Sequence, residues 1–368
     1  MDIGARLGLS VALLLGCVGG DGPEPDAGRA DAGSDGAECS PADFRGCIYA
    51  PREYSVSQVD GYTVRAPSYD REFPIRVRHP IEVETPLPVV LVSHGGTFND
   101  DGHEELEAWG EVLAAAGYAA IHLAHVYPEV ALIERICEEQ SVPADECVPD
   151  GSYNPATVLR SVDAIATLDD LEEISAWLEA MTGARLDPSR VATLGWSGGS
   201  QTGLALLGSR RDLSPSVRFQ LADARVAGAV ALSPQGPGFS GYFEDETGTS
   251  MDDVRRPVLI ATGANDIKEE RMELLPAIRR RTYENLPGGN GDQRLLFSEL
   301  PPDVGNHVTY SRPRTNSSDE RLVRLSEALA STTRAFLDAL LRDDAAAEGY
   351  LDSDAPRTLA GDASWEAR

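Results

Sequence analysis

Gly195-Trp196-Ser197-Gly198-Gly199 fits the pattern G-x-S-x-G, in which a serine hydroxyl stands at the tip of a sharp turn with a glycine two residues to either side. Val191 to Leu194 upstream read as a short buried strand, and Gln201 to Leu207 downstream continue as a helix. A serine on such a strand-to-helix turn is aimed into a cleft, and its neighbours must be small because a Cβ there would collide with the adjoining strand and helix. The helix N-terminus turns its unpaired N–H groups, Gly198 first, toward any oxygen that becomes negative nearby. The chemistry this predicts is nucleophilic attack on a carbonyl. It needs a general base, a group that orients the base and a second donor for the oxyanion.

Those partners are found by position. Of the six histidines, His79, His94, His103, His122 and His125 all precede Ser197. In the order serine, acid, histidine that accompanies this kind of elbow, only His307 qualifies. It sits in Gly305-Asn306-His307, after an expected strand from Arg294 to Leu300. The acid is expected to be Asp266, which ends Gly263-Ala264-Asn265-Asp266 after the strand Pro257 to Thr262; Asp303 is the second candidate. The second oxyanion donor is expected from His94-Gly95-Gly96-Thr97, through the N–H of Gly96 or Thr97, where two glycines let the backbone approach a ligand. No metal is called for: His122 and His125, three residues apart on a strand, face opposite sides.

The elements that position these residues alternate. Tyr62 to Arg65 and Phe73 to His79 read as an antiparallel pair joined by Pro67 to Asp70. Leu87 to Ser93 is a continuous apolar run and so a central strand, with further strands at Tyr118 to His125 and Val226 to Ser233. Helices are expected over Glu104 to Ala116 and Ser161 to Met181. This is the α/β class, with a mainly parallel central sheet flanked by helices. Val126 to Thr157 reads as an irregular insertion after a central strand, either a cap or rim that shapes substrate access or a plain surface loop.

Composition narrows the partners. A chain of 368 residues, 42% hydrophobic, can bury one large core. Its net charge is −28, of which residues 1 to 38 carry only a small part, so a nucleic-acid role, which needs a basic footprint, is not expected. Arg6 precedes an apolar run, Leu7 to Leu15, that is short for a membrane span and right for a signal peptide. Leu14-Leu15-Gly16-Cys17 resembles the bacterial lipoprotein box, making Cys17 the expected lipid anchor, with a plain secretory signal as the other reading. The expected organisation is a signal segment over 1–17, a flexible acidic linker over 18–48, rich in Asp, Gly and Ala, and an enzyme domain over 49–368. Removing Cys17 from the five cysteines leaves Cys39, Cys47, Cys137 and Cys147, an even set suited to two disulfides in an exported protein. The simplest pairing is Cys39 with Cys47 and Cys137 with Cys147.

Taken together, Val92-Ser93-His94-Gly95-Gly96, Asp187-Pro188-Ser189-Arg190 before the elbow strand, Thr262-Gly263-Ala264-Asn265-Asp266 and Gly305-Asn306-His307 resemble the bacterial α/β-hydrolases related to platelet-activating-factor acetylhydrolase, often labelled predicted dienelactone hydrolases. An amphipathic helix around Leu322 to Leu341, then Tyr350-Leu351 and Ser364-Trp365-Glu366, extend the likeness over residues 60–366. It implies an α/β-hydrolase fold and ester cleavage without a cofactor. Two departures bear on substrate: Trp-Ser-Gly stands where the family often has His-Ser-Phe or His-Ser-Met, and a serine replaces the cysteine of true dienelactone hydrolases. Trp196 is a candidate substrate contact, or else packs against the sheet. The expected substrates are neutral carboxylic esters of short to medium acyl chain. Polyesters and phospholipids are the alternatives, and a silent surface-binding protein is the opposing class.

Overall fold

In the computed structural model, residues 39–83, 86–96, 98–147, 157–214, 216–236, 249–267, 276–288 and 292–368 are described. Cys17 and Thr97 lie outside them, as does the leader and most of the linker. Nine strands form one sheet: β1 (Val56–Ala66), β2 (Arg71–Pro80), β3 (Leu87–Ser93), β4 (Ala119–Leu123), β5 (Leu186–Trp196), β8 (Val226–Leu232), β9 (Val258–Gly263), β10 (Gln293–Ser298) and β11 (Ala363–Ala367), with β6 (Arg210–Ser214) and β7 (Val217–Gln220) as a separate hairpin. The sheet order is β1-β2-β4-β3-β5-β8-β9-β10-β11. From β4 to β10 every pairing is parallel, while β1, β2 and β11 add antiparallel edges.

Every residue of β3 is buried, as a strand covered on both faces requires. The period of two divides its run between two cores. Val89 and Leu91 join Leu159, Ile174 and Leu204, from α3 (Thr157–Asp169), α4 (Leu171–Thr182) and α5 (Gly198–Leu206). Val90 and Val92 join Trp109, Leu329 and Leu337, from α1 (Glu107–Ala115) and α7 (Glu320–Arg342). α6 (Pro276–Glu284) adds Tyr283 to the first core, and α8 (Ala345–Leu351) and α9 (Ala355–Ala360) add Ala347 and Leu359 to the second. The expected α/β class, with helices on both faces of a mainly parallel sheet, is what the chain adopts.

Some expectations need correction. The helix expected from Ser161 to Met181 begins earlier and is two helices, broken at Asp170, where adjacent aspartates compete with the helix for backbone hydrogen bonds. The helix expected from Glu104 starts at Glu107, because Leu106 takes a left-handed conformation (φ 58°). The insertion after β4 is not irregular throughout: α2 (Val130–Glu139) buries Ile133, Ile136 and Cys137, a helical spacing that anchors it on the first core. The linker expected to reach residue 48 gives way earlier to packed chain, since Cys47 is buried in the second core and Phe44 lies under the Arg324 guanidinium.

Cys39 bonds to Cys47 and Cys137 to Cys147, the simplest of the pairings the sequence allowed. Disulfides of this kind belong to oxidising compartments outside the cytosol. Among the described residues no helix is long and apolar enough to cross a membrane.

Candidate active site

The elbow follows from close packing. Ser197 stands between β5 and α5 with φ 54° and ψ −116°, a sparsely populated conformation for a residue with a side chain. Its N–H donates to Leu232 O at 2.9 Å, and Ser200 Oγ donates to Leu232 O and Gly195 O, tying the turn to β8. The flanking glycines have no room for more: a Cβ on Gly195 would lie 2.1 Å from Gly199 O, and one on Gly199 2.0 Å from Ser93 O.

Three strand ends bring Ser197, Asp266 and His307 together. Ser197 Oγ is 3.0 Å from His307 Nε2, and His307 Nδ1 is 2.8 Å from Asp266 Oδ1. His307 begins a short 3₁₀ helix, His307–Ser311, whose first turn is capped by Asn306 Oδ1 accepting from Val308 N–H at 3.0 Å. All three residues are buried. Asp303, the second candidate for the acid, is exposed on the loop before His307.

Asp266 is held by more than its histidine. Oδ1 accepts from Ser233 Oγ at 2.7 Å, and Oδ2 accepts from Thr262 Oγ1 at 2.7 Å. Ser233 Oγ is also 2.6 Å from His307 Nδ1. The Arg279 guanidinium on α6 lies 3.3 Å from Asp266 Oδ1, donates to Asp266 O, and donates to the carbonyls of Ser233 and Pro234. Burial works against the charge on Asp266, but Arg279 and the hydrogen bonds from His307 and Ser233 outweigh it and hold the carboxyl below its ordinary range.

On the oxyanion side, Gly96 and Gly198 are in contact: a Cβ added to Gly198 would lie 2.1 Å from Gly96 O and 3.5 Å from Gly96 N. Gly198 opens α5, so its N–H belongs to the helix's unpaired first turn. Trp196 is half-buried, with its ring 5.0 Å from the His307 ring and its Nε1 donating to His307 O at 3.1 Å. The indole also occupies the space a side chain on Gly95 would need. It therefore packs on the site and also lines an open cavity of about 490 Å³ with Glu104, Glu105, Glu107, Glu111, Arg312 and Arg314.

A second Ser–His–Asp line runs beneath the His94-Gly95-Gly96 turn. Ser93 Oγ is 2.9 Å from His125 Nε2, His125 Nδ1 is 3.0 Å from Asp163 Oδ2, and Arg71 makes a two-pronged pair with Asp163. Burial, with Arg160 and Arg71 nearby, drives the His125 pKa well down and keeps the ring neutral. Burial pushes the Asp163 carboxyl up to about 6 against the pull of Arg71. Ser93 is the last residue of β3 and not, like Ser197, the tip of a strained elbow, and the line ties that strand to α3 through buried groups. His122 faces another way, with Nδ1 3.0 Å from Glu105 O and Nε2 3.4 Å from Arg78.

The chain matches no known family model, and no curated protein sequence is detectably similar to it. Sequence reasoning missed Ser233, Thr262, Arg279, Arg160 and Asp163. A signal existed for the last two: they interrupt the apolar pattern of α3 one turn apart, which marks a buried polar pair.

Proposed function

We propose that the chain is a serine hydrolase of the α/β-hydrolase type, related to the acetylhydrolase-like family it resembles, cleaving carboxylic esters through an acyl-enzyme. The observation that carries this reading is the unbroken line from Ser197 Oγ through the His307 ring to Asp266. The sheet supports it, since β5, β9 and β10 run in the same direction and the chain after their C-terminal ends leads to Ser197, Asp266 and His307 in turn. In this mechanism His307 Nε2 takes the Ser197 proton as the oxygen attacks the ester carbonyl. Asp266 holds the proton on Nδ1 and stabilises the imidazolium. The N–H groups of Gly198 and of Gly96 or Thr97 receive the oxyanion. His307 then returns its proton to the departing alcohol, and water repeats the sequence to release the acid. The mechanism needs no cofactor.

The cavity beside Trp196 is within the size range of small-molecule sites, and the four glutamates on its wall outnumber its two arginines, a balance that disfavours substrates with a free carboxylate. Neutral esters of short to medium chain are therefore the expected substrates. The test is a rate profile over nitrophenyl esters of increasing acyl length, with a polyester film and a phospholipid alongside, and fluorophosphonate labelling of Ser197. A maximum at short to medium length with labelling at Ser197 supports the assignment. A maximum at long chains or on phospholipid moves it to a lipase or acetylhydrolase, and folded protein that neither labels nor turns over is a binding protein.

Arg279 supports the ionised form of Asp266. Its guanidinium lies 3.3 Å from Oδ1 and, with His307 and Ser233, holds the carboxyl below its ordinary range against burial. Arg279→Gln removes that cation, so the carboxyl titrates higher and supports the imidazolium less, and kcat is expected to fall by about 10-fold with KM little changed. His307, Ser233 and Thr262 keep their contacts to Asp266 in the variant. An unchanged kcat rules this role out.

We also propose that the mature protein is anchored outside the cytoplasm through a lipid on Cys17. Cys17→Ala should move the enzyme from the membrane fraction to the soluble one. Finding both forms soluble would leave a secreted protein.

A further inference from the structure

We infer that Arg160 is a positioning residue for the oxyanion-binding turn, an assignment that rests on the hydrolase reading of the site. Arg160 projects from α3 and is fully buried. Its Nη2 donates to His94 O at 2.6 Å and its Nη1 to Gly96 O at 3.2 Å, while Nε donates to Thr202 Oγ1 at 3.2 Å on α5. One rigid guanidinium thus ties the turn after β3 to the helix that carries the nucleophile.

Of the two carbonyls it holds, that of Gly96 shares its peptide with the Thr97 N–H, one of the proposed oxyanion donors, and that of His94 fixes the start of the same turn. In a trans peptide the N–H lies opposite the carbonyl, so a carbonyl turned to Arg160 is one not presented to the reacting oxygen. The Gly96 carbonyl needs such a hold. Gly96 has φ +71° and no side chain to restrict it, and its oxygen lies against Gly198, the other proposed donor residue. A flipped Gly96 peptide would offer an oxygen where a negative charge develops. A hydrogen bond accepted by the Gly96 carbonyl also polarises that peptide and strengthens its N–H, that of Thr97, as a donor.

The turn is supported a second time from the same helix. Asp163, one turn beyond Arg160, holds His125 Nδ1, and His125 in turn holds Ser93 Oγ and donates its own N–H toward His94 Nε2 at 3.4 Å. Arg71 fixes Asp163 through both carboxylate oxygens. Arg160 is the member of this assembly that contacts the turn's carbonyls directly.

The experiment compares wild type with Arg160→Gln, Arg160→Lys and Thr202→Val. It measures kcat and KM on the best nitrophenyl ester, and the inhibition constant of a trifluoromethyl ketone, whose adduct with Ser197 places a negative oxygen in the oxyanion site. For Arg160→Gln the expected result is a fall in kcat of about 100-fold with KM little changed, matched by an equal loss of ketone affinity. Arg160→Lys should regain part of both, since an ammonium can still reach one carbonyl. Thr202→Val, which leaves both carbonyl contacts in place, should cost far less than Arg160→Gln. Should Arg160→Gln fail to fold, the partial loss in Arg160→Lys, equal in kcat and in ketone affinity, carries the test. An active wild type whose Arg160 variants keep kcat, or lose only KM, overturns the role of Arg160 alone. A wild type that hydrolyses no ester overturns it together with the hydrolase reading.

Discussion

Ser197→Ala is expected to lower ester turnover by on the order of 10⁶-fold, to a level set by oxyanion binding alone. The alanine keeps the Cβ and the backbone conformation of the elbow, and the hydroxyl it removes has His307 Nε2 as its partner. The melting temperature should therefore stay close to that of wild type, and the lost rate is chemical. His307→Ala should lose about as much, and the double variant no more than either alone, because serine without its base is a poor nucleophile and the base without serine has no proton to take. Steady-state kinetics on one ester, with active-site titration to exclude contaminating enzyme, checks all three. Losses that multiply in the double variant would show two independent residues in place of a unit.

Asp266→Asn should cost about 10³-fold, less than the roughly 10⁴-fold loss that follows where the amide forces the wrong histidine tautomer. The surroundings decide which way the amide turns. Arg279 at 3.3 Å and the Ser233 hydroxyl both face the Oδ1 position and favour the amide oxygen there. Thr262 Oγ1, at the other carboxylate oxygen, can rotate to accept from the amide nitrogen. His307 then keeps its proton on Nδ1 and loses only the negative charge that supports the imidazolium. Asp303→Asn, on an exposed loop, should leave the rate unaltered. If it proved as damaging as Asp266→Asn, the acid would have to be reassigned. The same carboxyl affects stability: held below its unfolded value, it stabilises the fold above about pH 4 and loses that contribution as the pH falls through its folded value. Asp266→Asn should remove this dependence from an acid titration of the melting temperature.

The residues of the candidate site that were legible in the sequence are those whose chemistry and position at a strand end coincide. Ser197, Asp266 and His307 each follow an apolar run, and such runs announce themselves locally. Eight of the nine strands of the sheet were legible for the same reason, though β1 and β5 begin well before the expected runs, and β11 was not read as a strand. What supports the site was not, because it is defined by contacts across the chain. Arg279 lies in the run Arg279-Arg280-Arg281, and only the rotation of α6 decides which guanidinium turns inward to Asp266 and which pairs with Glu366. Ser233 reads as the last residue of a strand, and its place between His307 and Asp266 depends on how β8 and β9 align. α2 was hidden among prolines and glycines, although Val130, Ile133, Ile136 and Cys137 carry a helical period once its start is known. Trp196 admitted two readings because both hold: it packs on His307 and it faces a cavity.

The cations that hold this site, Arg71, Arg160 and Arg279, are all guanidinium groups. The rest of the chain follows suit, for among its 32 basic side chains only Lys268 is a lysine. A buried lysine can shed its proton and become an amine, whereas a guanidinium keeps its charge across the working pH range. It is also no nucleophile there. A serine esterase repeatedly generates an activated acyl group a few ångströms from its own framework, and amines in that framework would be open to acylation. If the site forms an acyl-enzyme as proposed, the arginines that hold it, Arg71, Arg160 and Arg279, offer the acyl group no amine.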